Sequence, residues 1–245
     1  MIAVKQLNLL HLPWLLLVVF VLSNKPLIAQ SGSDFWLWGD VGVLYTLPDQ
    51  NTSVNAYYQY VASNNGSDYF IQTGNLLVNH SFLNKHLKAT AGYTFGELAN
   101  VGNVRVPVLR LQYIFTKTKL HYYARLGYDR LSFDTKPEVE SISTNNRYRL
   151  QLGIAPKLAP SILLIANTEH FIKREEGWWT EHRTIAGFDL KMTDQCHLRT
   201  FYFNRWINFE GAPERWNHAL IASLRFFISA PSQVHKRSPV DLNGN

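Results

Sequence analysis

Cysteine is nearly absent from this chain: Cys196 is the only one in 245 residues. One thiol excludes an intrachain disulfide framework, so stability must come from packing and backbone pairing. No apolar run reaches the roughly 20 residues a spanning helix needs. The longest, Leu12 to Leu22, covers 11. Basic residues outnumber acidic ones, 24 to 18, and the sequence pI is 9.4. They stand singly, with no cluster or stripe, which argues against nucleic acid as a partner. One cysteine and scattered histidines offer no metal-ligand spacing. Gly92 and Gly96 sit in a strand pattern and not before a helix, so no phosphate-cradling loop is present. No cofactor is expected.

The first thirty residues read as a secretory signal. Lys5 supplies the positive start, Leu12 to Leu22 the apolar core, and Ala29 or Gln30 the cleavage point. The domain plan is then 1–30 signal, 31–229 one β domain, and 230–245 a polar, disordered tail. The formal charge of +6 falls to +4 once Lys5 and Lys25 leave.

What the chain does have is alternation. In Asn146 to Pro156, Arg147, Arg149 and Gln151 alternate with Tyr148, Leu150, Leu152 and Ile154. Side chains on a strand point to opposite faces in turn, so one face is charged and the other oily. Trp179 to Met192 sets Glu181, Arg183, Asp189 and Lys191 against His182, Thr184, Ala186, Phe188 and Leu190. Cys196 to Phe209 sets Arg199 and Arg205 against Leu198, Tyr202 and Trp206. Earlier segments repeat the pattern, with Arg110 and Gln112 opposed to Leu109 and Leu111, and Arg125 and Asp129 opposed to Tyr122 and Leu126.

Eleven such segments run from Asp34 to Ser229, most of 10 to 15 residues. Soluble strands average about 5–6 residues, whereas a tilted bilayer strand needs about 9–11. Length and rhythm predict an all-β, single up-and-down antiparallel transmembrane barrel. Bacterial barrels are even-stranded, so the expected count is 10–12, leaning to 12. Short breaks near Thr116 to Thr118, Leu158 to Pro160 and Thr193 to Gln195 are expected on the periplasmic side. Long breaks near Ala99, Asp134, Glu175 and Glu210 are expected outside.

The ordered set Asp34 to Trp38 (DFWLW), Leu87 to Phe95 (LKATAGYTF), Asn146 to Ile154, Asn167 to Phe171, EHRTIAGFDLKM and LRTFYFNR resembles a known family. These are the Gram-negative outer-membrane β-barrel proteins known only as a domain of unknown function. The resemblance covers about Asp34 to Ile228. It implies a location, the outer membrane, and a fold; it implies no chemistry. Such barrels end on an aromatic residue that the barrel assembly machinery reads. Here Phe226-Phe227 is followed by 18 further residues.

The alternation nominates a lumen set: Arg110, Arg125, Asp129, Arg147, Arg149, Glu169, Glu181, Arg183, Asp189, Arg199 and Arg205. One role is a ladder of arginine–carboxylate pairs that fills a narrow interior, suited to bidentate geometry. The other is a lining for a small anionic solute, since arginines outnumber carboxylates seven to four in this set. Small barrels leave little open lumen, which favours the ladder. The expected function is a structural or small-solute, porin-like barrel in contact with outer-membrane lipid, with no catalysis. A lipid-modifying hydrolase is the first alternative. It would place a base two residues from its nucleophile on one strand face, and no His here precedes a Ser by two. A ligand-binding periplasmic β domain is the second.

Overall fold

The computed structural model describes residues 34–63, 68–117, 119–137, 145–173, 179–208 and 215–230. The predicted signal, and the predicted tail beyond Ala230, lie outside these residues. The elements are β1 (Asp34–Thr46), β2 (Thr52–Ser63), β3 (Asp68–Phe82), β4 (Leu87–Leu98), β5 (Gly102–Lys117) and β6 (Leu120–Thr135). They continue with β7 (Asn145–Ala159), β8 (Ile162–Lys173), β9 (Trp179–Lys191), β10 (Cys196–Ile207) and β11 (Arg215–Ser229). Each strand pairs antiparallel with the next, and β1 joins β11 to close the barrel. Among the described residues the strands number 11, not the 12 toward which the evenness rule leaned.

The reason lies in the closure. Alternating direction through eleven strands leaves β1 and β11 pointing the same way, so only a parallel pair can seal the sheet. That pair runs unbroken from Asp34↔Asn217 to Thr46↔Ser229. Parallel pairing is slightly weaker per residue, but closure removes both exposed strand edges. An odd count also sends the first and last strands to opposite ends: Asp34 enters at one end and Ser229 leaves at the other.

The predicted loop rhythm needs a second correction. The break near Ala99, expected to be long, is a tight turn of Ala99 to Val101. The Ala99 amide donates to Phe70 O and the Val101 amide to Leu98 O. The turn needs Asn100 at φ 63° and Gly102 at φ 134°. A Cβ on Gly102 would meet the Asp134 carbonyl oxygen at 2.1 Å, so glycine is required there on both counts.

The two faces divide by parity. Leu37, Val41 and Tyr45 of β1, Leu109 and Leu111 of β5, and Leu126 of β6 point outward and are exposed, Leu126 at 59%. Inward residues are buried and are of two kinds. Three apolar clusters lie inside: Trp36, Ile185, Phe203 and Ile221; Ile114, Tyr123 and Ile165; and Tyr57, Leu77 and Val104 to Val108. Between them lie polar and charged side chains. Oil outside and charge inside is the reverse of a water-surrounded sandwich.

Candidate functional site

The barrel interior is the site. Strands β6 to β10 project one ionic cluster, toward the end where β6 joins β7 and β8 joins β9. Asp129 is 1% exposed; its Oδ2 accepts from Arg147 Nη2 at 2.9 Å and from Arg149 Nη1 at 3.2 Å. Arg149 also donates from Nε and Nη2 to Glu169 Oε1, at 2.9 and 2.6 Å. Arg183 lies 3.7 Å from Glu169 and donates to Glu181. Arg205 grips Glu181 with two bonds, Nε at 2.8 Å and Nη2 at 3.0 Å. Phe171, fully buried, sits among the cations: Arg147, Arg149 and Arg183 lie 4.7, 4.8 and 4.2 Å from its ring centroid. The ring face is negative, so one aromatic helps hold three guanidiniums.

A second cluster lies deeper, on β9, β10, β11 and β1. Arg225 Nη2 is 2.6 Å from Asp40 Oδ1, which also accepts from Ser223 Oγ at 2.6 Å. Asp189 takes Arg199 Nε at 2.8 Å and lies 2.7 Å from His197 Nδ1. Arg225 stacks over Tyr57 at 4.6 Å. Gly42 makes room for it, since a Cβ there would lie 2.4 Å from Arg225 Nη1. Arg125 donates twice to the Gln112 carbonyl, at 2.9 and 2.6 Å.

All eleven predicted lumen residues face inward. Asp129, Arg147, Arg149, Glu169, Glu181, Arg183 and Arg205 form one network, and Asp189 with Arg199 belongs to the deeper one. Arg125 lines the space between them, beside Gln112. Arg110 stands apart on β5, and its Nε has no hydrogen-bond acceptor. Asp40, Ser223, Arg225, Lys88, Tyr57 and Phe171 were not in the predicted set. Arg225 was the hardest to find, because its own face also carries Ala219, Ile221 and Phe227, which read as oily as the opposite one.

The described interior therefore holds nine cationic side chains: Lys88, Arg110, Arg125, Arg147, Arg149, Arg183, Arg199, Arg205 and Arg225. It holds five carboxylates: Asp40, Asp129, Glu169, Glu181 and Asp189. The excess is positive.

One cluster lies on the outer face. His170 and His182 are cross-strand partners with Nδ1 atoms 2.9 Å apart, and Thr168 Oγ1 lies 3.5 and 3.4 Å from their Nε2 atoms. Glu169, the adjacent carboxylate, points inward to Arg149 and does not orient these imidazoles. His80 and Ser81 point to opposite faces of β3. No group of three or more His, Cys, Asp or Glu residues among the described residues could hold a metal ion.

A family profile described as "Protein of unknown function (DUF2490)" matches residues 35–217. The chain belongs to the DUF2490 family. The match begins at Phe35 in β1 and ends at Asn217 in β11, so it spans the first cluster of this DUF2490 barrel and stops short of Ser223 and Arg225 of the second. No curated protein matches the chain. Among solved structures, the NanC porin in a rhombohedral crystal form is similar, at 13% identity and a TM-score of 0.44. The alignment covers 72% of this chain and 89% of that one.

Proposed function

We propose that this DUF2490 chain is an outer-membrane β-barrel whose charged interior is a filled scaffold and not an open pore, and that it is not an enzyme. The observation that supports the reading is the inversion of polarity. Leucine, valine and aromatic side chains cover the outside of strands that hide arginine–carboxylate networks within. In water that outer surface would be a very large exposed apolar patch; in lipid it is at home. A closed barrel satisfies every backbone hydrogen bond between its own strands, as a chain crossing lipid requires.

The filled interior supports a structural role over free passage. Apolar clusters separate the ionic ones, and among the described residues an interior cavity beside the deeper cluster measures about 40 Å³. Sites for organic ligands are roughly 300–1,000 Å³. On this reading the partners are outer-membrane lipid and, during biogenesis, the barrel assembly machinery. A soluble anion of sugar size is not among them.

The test is extraction followed by electrophoresis. The protein is expected to leave the envelope only with detergent and to migrate faster unboiled than boiled. Release by osmotic shock with no heat-dependent shift would end the membrane reading. In planar bilayers, steady single-channel conductance of porin size would overturn the filled interior while leaving the barrel intact.

A further inference from the structure

The deeper polar cluster borders a cavity of about 40 Å³, lined from β1, β6, β7, β8, β9, β10 and β11. Arg125, Arg199 and Arg225 line it, with one carboxylate, Asp40, and with Ser223 and Gln151. Each of these six side chains is at least nine-tenths buried. Arg225 is 3% exposed, yet its Nε and Nη1 hydrogens meet no acceptor. On the opposite sign, Asp40 Oδ2 and Gln151 Oε1 meet no donor.

We propose that this cavity is a binding site for one small inorganic monovalent anion of chloride size, held among Arg125, Arg199 and Arg225. The inference rests on the barrel reading, which places these side chains inside, and deepens it. Three observations converge. The first is local charge: three guanidiniums face the cavity against Asp40, and Arg199 has Asp189 behind it, which leaves the pocket positive. The buried Nε and Nη1 of Arg225 meet no acceptor among the described residues, and a buried donor left unmet is costly, a cost that an anion in the cavity would offset.

The second is the interior as a whole, where nine cations face five carboxylates among the described residues. That balance favours an anion over a cation as the occupant. The third is size. The space, about 40 Å³, is far below the roughly 300–1,000 Å³ of sites for organic ligands and suits one small anion. It excludes sugar acids, nucleotides and lipid headgroups. The unpaired hydrogens of Arg225 are donors for the anion. The unpaired oxygens of Asp40 and Gln151 repel it and suit water, which keeps the anion on the arginine side.

The experiment uses the full chain folded in detergent. Sodium chloride is titrated against sodium gluconate at constant ionic strength while the chlorine NMR linewidth is read, and nitrate is added as competitor. The heat-dependent gel shift is recorded on the same samples. Wild type is expected to show broadening that saturates and that nitrate reverses. Arg125→Gln is expected to weaken chloride binding about tenfold or more, the loss of one charge-assisted bond. Asp40→Asn is expected to tighten it, because the repelling carboxylate is gone.

Ile221→Phe pushes a ring into the cavity and removes no charge; it is expected to abolish the saturable component. That variant serves if Arg125→Gln loses its gel shift and so its fold. Heat-shifted wild type with no saturable broadening would overturn the proposal alone, leaving water as the only occupant. Broadening equal in wild type and Ile221→Phe would also overturn it. Wild type with neither gel shift nor detergent requirement would overturn the barrel reading first.

Discussion

The interior of this barrel has two sides built from different chemistry. On β2, β3 and β4 the inward polar residues, Lys88 apart, are neutral: Asn55, Gln59, Thr73, Asn75, Asn79 and Thr90. They pass hydrogen bonds in short chains. Thr94 Oγ1 donates to Asn75 Oδ1 at 2.5 Å, Asn75 Nδ2 to Thr73 Oγ1 at 3.2 Å, and Thr73 Oγ1 to Gln59 Oε1 at 3.3 Å. On β6 to β11 the same positions carry arginines and carboxylates joined by ion pairs. The difference teaches what each chemistry can span. Amide and hydroxyl groups reach only a neighbour on the same or the next strand. Arginines reach two or three partners at once, so Arg149 ties Asp129 of β6 to Glu169 of β8 from its place on β7. Asn79 of β3 makes the same three-strand link, to Ser53 of β2 and from Thr90 of β4, with neutral bonds, whereas the ionic side makes it with stronger, charge-assisted ones.

Five substitutions probe that contrast, each read by urea unfolding of the protein in lipid vesicles. The largest effect is expected from Glu169→Ala, which takes from Arg149 the acceptor of two bonds and from Arg183 one of its two carboxylates, in a site where Glu169 is 1% exposed. Removing one partner of a buried pair costs about 3–5 kcal/mol; a cost under about 1 kcal/mol would mean that the network is hydrated and loose. Next comes facing. Leu152→Arg puts a charge into lipid and should cost about 2–4 kcal/mol near the midplane. Gln151→Glu, one residue away but inside beside Arg125, should be nearly neutral. Equal costs would sink the inside–outside assignment.

On the neutral side, Asn75→Ala leaves Thr94 without its acceptor and should cost about 1–3 kcal/mol. A loss as large as that of Glu169→Ala would erase the distinction between the two sides. The smallest effect lies outside the membrane, in the turn between β1 and β2. There the hydroxyl and amide of Thr52 donate to Asp49 and hold its carboxyl below its ordinary value near 3.8. A depressed carboxyl stabilises the fold above that ordinary value and loses the contribution as pH falls through the folded value. Asp49→Asn should therefore be slightly less stable than wild type at neutral pH, and the gap should close in acid. A gap that persists in acid would show that Asp49 acts through packing and not through its charge.

Much of this architecture was legible in the chain. Period-two alternation places Arg147, Arg149 and Gln151 on one face and Leu150 and Leu152 on the other, because a strand offers no third direction. The charged members stood out since arginine and carboxylate contrast sharply with leucine. Asn75, Asn79 and Thr90 did not stand out, because neutral polar residues suit turns and strand faces equally. Phe171 and Tyr57 read as ordinary apolar residues; only three-dimensional neighbours show that they support guanidiniums.

By itself the sequence determined the local facts: strand identity, strand length, and which side chains share a face. These follow from backbone geometry that repeats every two residues and depends on nothing far away. The tertiary structure alone decided the rest. It set the count at eleven with a parallel seam, because closure depends on how the first and last strands meet 183 residues apart, as Asp40 and Ser223 do. It also decided which arginine meets which carboxylate, since the register of five successive strands brings those side chains to one level inside the barrel.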